Sequence, residues 1–192
     1  MKRISIYIDG ENFIQGIKSI NKKYTDFKFD FENYIKYLTK NEKLVDVYYF
    51  GAPLKQELGK DLYSDQQKMF SRFEKLGWKV VLCKRRKREK DDGSEMHKIK
   101  EDDIRLALQM QKDAYDNKFD VAILFSGDGD FVPLPEYLTI KNKKIELVYV
   151  EDCVSLSLLR VCNFKGHKIN KKILNKFFLR KKNPKNSQQK VL

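Results

Sequence analysis

Two short stretches carry most of the chemistry open to this sequence: Ile8-Asp9-Gly10-Glu11-Asn12-Phe13 near the N-terminus, and Phe125-Ser126-Gly127-Asp128-Gly129-Asp130-Phe131 in the second half. Each sets carboxylates directly behind an apolar, β-rich run, and the strands of a parallel sheet deliver such residues to one common rim. A third acidic stretch, Lys100-Glu101-Asp102-Asp103, opens a helical pattern whose N-terminus could reach the same rim. If Asp9, Asp103, Asp128 and Asp130 converge there, each pair at ~4 Å repels by about 4 kcal/mol at an effective dielectric near 20, so a cation has to compensate. Oxygen-only donors suit a hard ion, Mg2+ or Mn2+, and with His97 and His167 the only histidines, zinc chemistry is disfavoured. Such an ion activates water against a phosphodiester, which dispenses with a nucleophilic Ser or Cys.

Each residue also has a purely structural reading. Asp9 could cap the helix that follows it, and Asp103 could sit at a helix N-terminus because the dipole favours negative charge there. Asp128 and Asp130 could shape a turn between strand and helix, and Asn12 could cap or turn rather than support a site. The combination is what favours a site. Gly10, Gly127 and Gly129 are expected to permit tight or left-handed turns that aim the carboxylates back over the strand ends.

The elements that would position these groups are legible as strands at 4–8, 45–50, 79–83, 121–125 and 145–150, rich in β-branched and aromatic residues. Helical patterns lie at 13–20, 31–38, 65–76, 103–115 and 134–140, with Gly77 and Asn117 as stops. In the fourth of these, Ile104, Leu108, Gln111 and Tyr115 mark one face. Strand and helix alternate, which predicts an α/β fold with a mostly parallel central sheet covered on both faces. Residues 84–98, KRRKREKDDGSEMHK, have almost no apolar content and are expected to form an exposed loop. From 165 onward the chain holds ten Lys or Arg and no Asp or Glu. A short docked helix is expected there, carrying Ile169, Ile173, Leu174, Phe177 and Phe178, then a basic tail beyond Arg180. This divides the chain into one domain over 1–164 and a basic helix and tail over 165–192.

At 192 residues and 41% hydrophobic content one folded domain is the expectation, and a net charge of +13 makes a polyanion the leading partner. Lys84, Arg85, Arg86, Lys87, Arg88 and Lys100 are the candidates for holding a phosphate backbone, with solvated surface charge as their structural alternative. Tyr48, Tyr49, Phe50, Trp78 and Phe131 could stack on bases but read better as core. Cys83, Cys153 and Cys162 form no paired motif, which fits a reducing compartment; no apolar run is long enough for a bilayer or a secretory signal. A cytoplasmic protein with no membrane partner is expected, its oligomeric state open and a homodimer among the options.

Taken together, the N-terminal IDGENF, the central KEDDIRLAL and the later ILFSGDGDF resemble the NYN family, a branch of PIN-like nucleases that includes LabA-like proteins. The likeness runs from Ile4 to about Val161. It implies a Rossmann-like α/β/α three-layer sandwich and a metal-dependent ribonuclease acting on RNA. By motif position it implies Asp9, Asp103, Asp128 and Asp130 as acidic metal ligands, with Asn12 and Ser126 in support. The family commonly shows a Lys-Gly-Val-Asp-like entry where this chain has Lys100-Glu101-Asp102-Asp103; the spacing to Leu106-Ala107 favours Asp103, with Asp102 or Glu101 as alternatives. A non-catalytic RNA-binding module of the same fold is the rival reading. A haloacid-dehalogenase-type phosphatase would need Asp where Glu11 stands, and no G-x-G-x-x-G follows the first strand to suggest a dinucleotide site.

Overall fold

In the computed structural model, residues 1–89 and 95–179 are described, with the backbone alone at 26, 58, 85–89 and 95–100. The first strand, β1 (Arg3–Asp9), is buried on both sides: Ile4, Ile6 and Ile8 enter one core layer and Tyr7 the other. It leads directly into α1 (Gly10–Ile20) and, after a short 3-10 turn, α2 (Phe31–Leu38), whose N-terminus is capped by the Asp30 carboxylate accepting from the Asn33 N–H. Then come β2 (Lys43–Gly51), α3 (Lys60–Lys75), β3 (Lys79–Leu82), β4 (Lys84–Glu89), β5 (Glu95–Lys100) and α4 (Asp102–Tyr115). The chain closes with β6 (Val121–Phe125), α5 (Leu134–Ile140), β7 (Lys144–Val150), α6 (Leu156–Val161), β8 (Gly166–Ile169) and α7 (Lys171–Phe177).

Six strands form one all-parallel sheet in the order β3-β2-β1-β6-β7-β8. The side-chain period of two splits every central strand between two layers. Ile6, Tyr49, Ile123, Phe125 and Val148 pack with Phe13, Phe29, Phe31, Phe73 and Phe177 under α1, α2, α3 and α7. Tyr7, Tyr48, Leu124 and Leu147 pack with Leu106, Met110, Leu138 and Leu158 under α4, α5 and α6. The result is a Rossmann-like α/β/α sandwich. Because β8 completes the sheet and Leu174 and Phe177 are buried, the packed body runs on past residue 164. Among the described residues no helix is long and apolar enough to cross a membrane.

The basic segment differs from its expected form. Residues 84–89 and 95–100 pair as an antiparallel ribbon, in register from Lys84↔Lys100 to Glu89↔Glu95, separate from the main sheet. Backbone pairing asks for no apolar face, so a segment without hydrophobic periodicity can still form a ladder. The face of α4 marked by Ile104, Leu108, Gln111 and Tyr115 is turned to solvent, while Leu106, Met110, Asp113 and Ala114 are inward.

One buried charge fixes α4 against the sheet. The fully buried Asp113 carboxylate accepts from the Tyr7 hydroxyl at 2.9 Å, the Gln109 amide at 2.9 Å and the Lys118 ammonium at 2.7 Å. The Asp113 bond raises the Lys118 pKa, whereas for Tyr7 burial is the first cause of an upward shift and the Asp113 charge the second. Tyr7 also stacks on Tyr48, with ring centroids 5.2 Å apart. Removing the hydroxyl by Tyr7→Phe should lower stability by roughly 1.5–3 kcal/mol, the worth of a hydrogen bond to a charged group. Asp113→Ala, which strands buried donors, should cost about 3–5 kcal/mol. Urea unfolding of the two variants checks the ranking, and an Asp113→Ala loss no larger than that of Tyr7→Phe would refute it.

Candidate metal centre

The chain enters the sheet at its centre and leaves in two directions. From β1 the crossover through α1 lies on one face, and from neighbouring β6 the crossover through α5 lies on the other. The two connecting loops therefore diverge, and the crevice between them opens at the carboxyl ends of β1 and β6. Asp9 is the last residue of β1 and Ser126 the first after β6, so both motifs reach this crevice.

Hydrogen bonds lock the two loops into one unit. The Asp9 carboxylate accepts from the Asn12 backbone N–H at 3.1 Å and from the Ser126 hydroxyl at 2.9 Å. The Ser126 hydroxyl accepts in turn from the Asp128 N–H at 3.1 Å, and the Asn12 side-chain oxygen from the Gly127 N–H at 3.0 Å. Asp128 then accepts from the Asp130 N–H at 3.0 Å. Asp9 is thus a helix cap and a member of the cluster at once.

The glycines serve close approach rather than left-handed turns: none of Gly10, Gly127 and Gly129 has positive φ. A Cβ at Gly10 would collide with the Tyr49 hydroxyl, and one at Gly127 with the Cys153 carbonyl. A left-handed residue does border the site: Glu101, with φ 85°, immediately before α4. A non-glycine residue held there stores about 1–3 kcal/mol of strain, which the surrounding structure has to maintain.

Two overlapping sets of carboxylates result, each with its oxygens within 4.8 Å of one another: Asp9, Asp102 and Asp103, and Asp103, Asp128 and Asp130. Asp103 belongs to both. Asp102, an alternative to Asp103 by sequence, stands beside it; Glu101 is in neither set and pairs with Arg105 at 3.3 Å. A run of adjacent acids at a helix start gives no indication of how many turn inward, so only the α4 placement distinguishes them. Burial pushes the Asp9 carboxyl up from 3.8 to about 7, opposed by the Asn12 N–H and the Ser126 hydroxyl and reinforced by the charges of Asp103 and Asp102. All the donors are carboxylate oxygens, which fit a hard divalent cation.

Of the candidate phosphate contacts, Lys84 is exposed at the base of the ribbon, paired in register with Lys100, and Lys100 is followed directly by Glu101, Asp102 and Asp103. The side chains of Arg85, Arg86, Lys87, Arg88 and Lys100 lie outside the described ones, as do Lys90 and the tail from Arg180. Phe131 is buried beneath α4, α5 and α6, and Tyr48, Tyr49 and Phe50 are core residues.

A family model described as NYN domain matches residues 3–169. No curated protein matches the chain. Among solved structures it is similar to a protein of unknown function from Vibrio parahaemolyticus RIMD 2210633, at 22% identity and a TM-score of 0.69, with 93% of this chain and 96% of that chain covered. This is a likeness of fold alone. A distant likeness to Acinetobacter baumannii MurG, at 6% identity and a TM-score of 0.39 over 88% of this chain and 41% of that one, has no bearing on function.

Burial of Asp9 carries a pH signature. Because its folded pKa of about 7 lies above the ordinary 3.8, the metal-free folded state holds a proton that the unfolded chain has released. The stabilisation is complete below the unfolded value and is lost as pH rises through the folded one. Thermal melts of metal-free protein should therefore fall between pH 3.8 and about 7 relative to Asp9→Asn, whose neutral amide does not titrate. Added Mn2+ should raise the wild-type melting temperature near neutrality and leave the variant almost unmoved. Parallel pH profiles for the two proteins would contradict this account.

Proposed function

Because this chain belongs to the NYN domain family, a nuclease-like family, we propose that it is a divalent-metal-dependent ribonuclease that hydrolyses RNA phosphodiester bonds. The observation that carries the reading is the pair of carboxylate sets sharing Asp103 at the central crevice. A bound Mg2+ or Mn2+ would supply charge neutralisation at the phosphodiester and activation of water. Asp9, Asp103, Asp128 and Asp130, with Asp102 beside them, are the residues that would hold it. Asn12 and Ser126 are positioning residues: their hydrogen bonds keep the Asp9 carboxylate and the loop after β6 in one arrangement. Burial of Asp9 keeps water from competing for its oxygens, and the exposed Asp130 leaves the site open on the side where a strand of RNA would lie.

Substrate capture falls to the ribbon, through Lys84, Arg85, Arg86, Lys87, Arg88 and Lys100. Its base adjoins the acids in sequence, so a phosphate backbone tracking along it would be delivered to the crevice. The three cysteines are free, which suits the reducing cytoplasm.

One observation favours a second reading. Both oxygens of Asp9 already accept hydrogen bonds within the protein, an arrangement that serves a helix cap and a loop brace without any ion. On that reading the chain is an RNA-binding module that performs no chemistry.

Cleavage of a defined RNA separates the two. Asp128→Asn should reduce Mn2+-dependent cleavage by about 100–1,000-fold, the usual cost of removing one preorganised electrostatic group. Undiminished cleavage by that variant would remove Asp128 from the site, and binding without cleavage across several metals would favour the second reading. RNA affinity should fall with salt by about 0.7 log units per phosphate contact per log unit of salt. A salt-independent affinity would rule out the ribbon as the phosphate-binding element.

A further inference from the structure

Helix α4 is apolar on two sides. Its inner side, with Leu106 and Met110, is spent on the core. Its outer side carries Ile104, Leu108 and Tyr115, and neighbouring α5 adds Tyr137 and Ile140; these five large side chains are each 57–75% exposed. Leu108 and Gln111 share a groove of about 310 Å³ with Pro133, Leu134 and Tyr137, and the Lys141 ammonium, directly after α5, lies 4.2 Å from the Tyr115 ring centroid, so the two helices meet through these side chains. A helix buried on one side only has polar residues on the other, and monomers rarely expose connected apolar patches beyond a few hundred Å².

We propose that the α4–α5 face is the contact surface between two copies of this chain. Charge decides for a second copy over other occupants. In a chain of net charge +13, two copies can approach only where positive charge is sparse. Ile104, Leu108, Gln111, Tyr115, Tyr137 and Ile140 at the centre of this face carry no charge, and the one ammonium set against them, Lys141, lies on the Tyr115 ring. RNA, in contrast, needs cations at its contact surface, and the densest basic run is the ribbon.

The borders of the face are complementary to one another. Arg105 and Lys112 are exposed along α4, and Glu136 is exposed on α5. A two-fold axis parallel to the helices lays α4 of one copy on α5 of the other, so both borders meet opposite charge twice, as an isologous contact requires. Extent also suits a dimer: the exposed parts of two tyrosines and three aliphatic residues supply the apolar centre, and the polar rim extends it towards the roughly 800 Å² per partner of a standard interface. Asp130 also lines the groove, so the edge of the contact comes close to the acidic crevice. The proposal is independent of whether the crevice cuts RNA.

Sedimentation equilibrium of the full chain tests it directly. The wild type should sediment at twice the chain mass at tens of micromolar, and Leu108→Glu combined with Tyr137→Glu should sediment as monomer, its dissociation constant raised at least about tenfold. Both residues are exposed, so the variant should remain folded by circular dichroism. Arg105→Glu should weaken the dimer and Glu136→Arg in the same chain should restore it, a rescue that a loss of folding could not produce. A wild type that stays monomeric at these concentrations overturns the proposal, as does a double-glutamate variant that still dimerises. A monomeric wild type whose RNA affinity drops in the double-glutamate variant would assign the face to nucleic acid instead.

Discussion

Mutual repulsion among carboxylates is the constraint that the rest of this structure has to satisfy. Asp9, Asp102, Asp103, Asp128 and Asp130 come from three distant stretches of chain and gather in two sets that share Asp103, the oxygens of each set within 4.8 Å of one another. Desolvation adds to the repulsion by pushing the Asp9 pKa up to about 7. The fold meets the cost in two ways. The loops after β1 and β6 are tied together through Asn12 and Ser126, so the acids cannot drift apart, and α4 is tied to β1 through Asp113 and Tyr7, so its acidic N-terminus cannot withdraw. Both ties act on β1, the strand that carries Asp9, the most buried acid of the cluster. The sheet, the two layers and the cap of α1 are in this sense one clamp around a concentration of negative charge.

Much of this is legible in the sequence because the physical signals are strong where burial is complete. Strand β6 and helices α2 and α5 have the bounds expected from their apolar runs and flanking polar residues, and β1, β2 and β7 lie within a few residues of theirs. The three-layer order follows from alternation of strand and helix. Strand β8 was not legible: at four residues, Gly166–Ile169 offers one buried side chain, and its place at the sheet edge is decided by what β7 already presents. Helix α6 is similarly short, and its cap, Ser155, also packs against Gly129. The basic ribbon has no such signal, because periodicity reports burial, not backbone pairing.

At the site, the sequence located the acids but could not count them. Adjacent residues on a helix point about 100° apart, so Asp102 and Asp103 looked like alternatives although α4 turns both into the same space. The glycines were recognised as necessary for a reason the backbone does not support: they are needed for space, not for unusual dihedral angles. Distance between segments far apart in sequence is the one quantity no local pattern encodes.

Gly127 has a consequence for how such a site can change. The carbonyl of Cys153 stands where even a methyl group at 127 would sit, and the neighbouring Ser155 N–H donates to the Gly127 carbonyl at 2.9 Å. The floor of the crevice therefore has no spare volume at Gly127, and a single added carbon there would push against the Cys153 carbonyl and strain the Ser126–Asp9 bond beside it. Point substitution can therefore reshape the crevice from its rim, at exposed positions such as Asp130, more readily than from beneath. Diversification of this architecture would accordingly be written in its outer loops, over an interior that admits almost no variation.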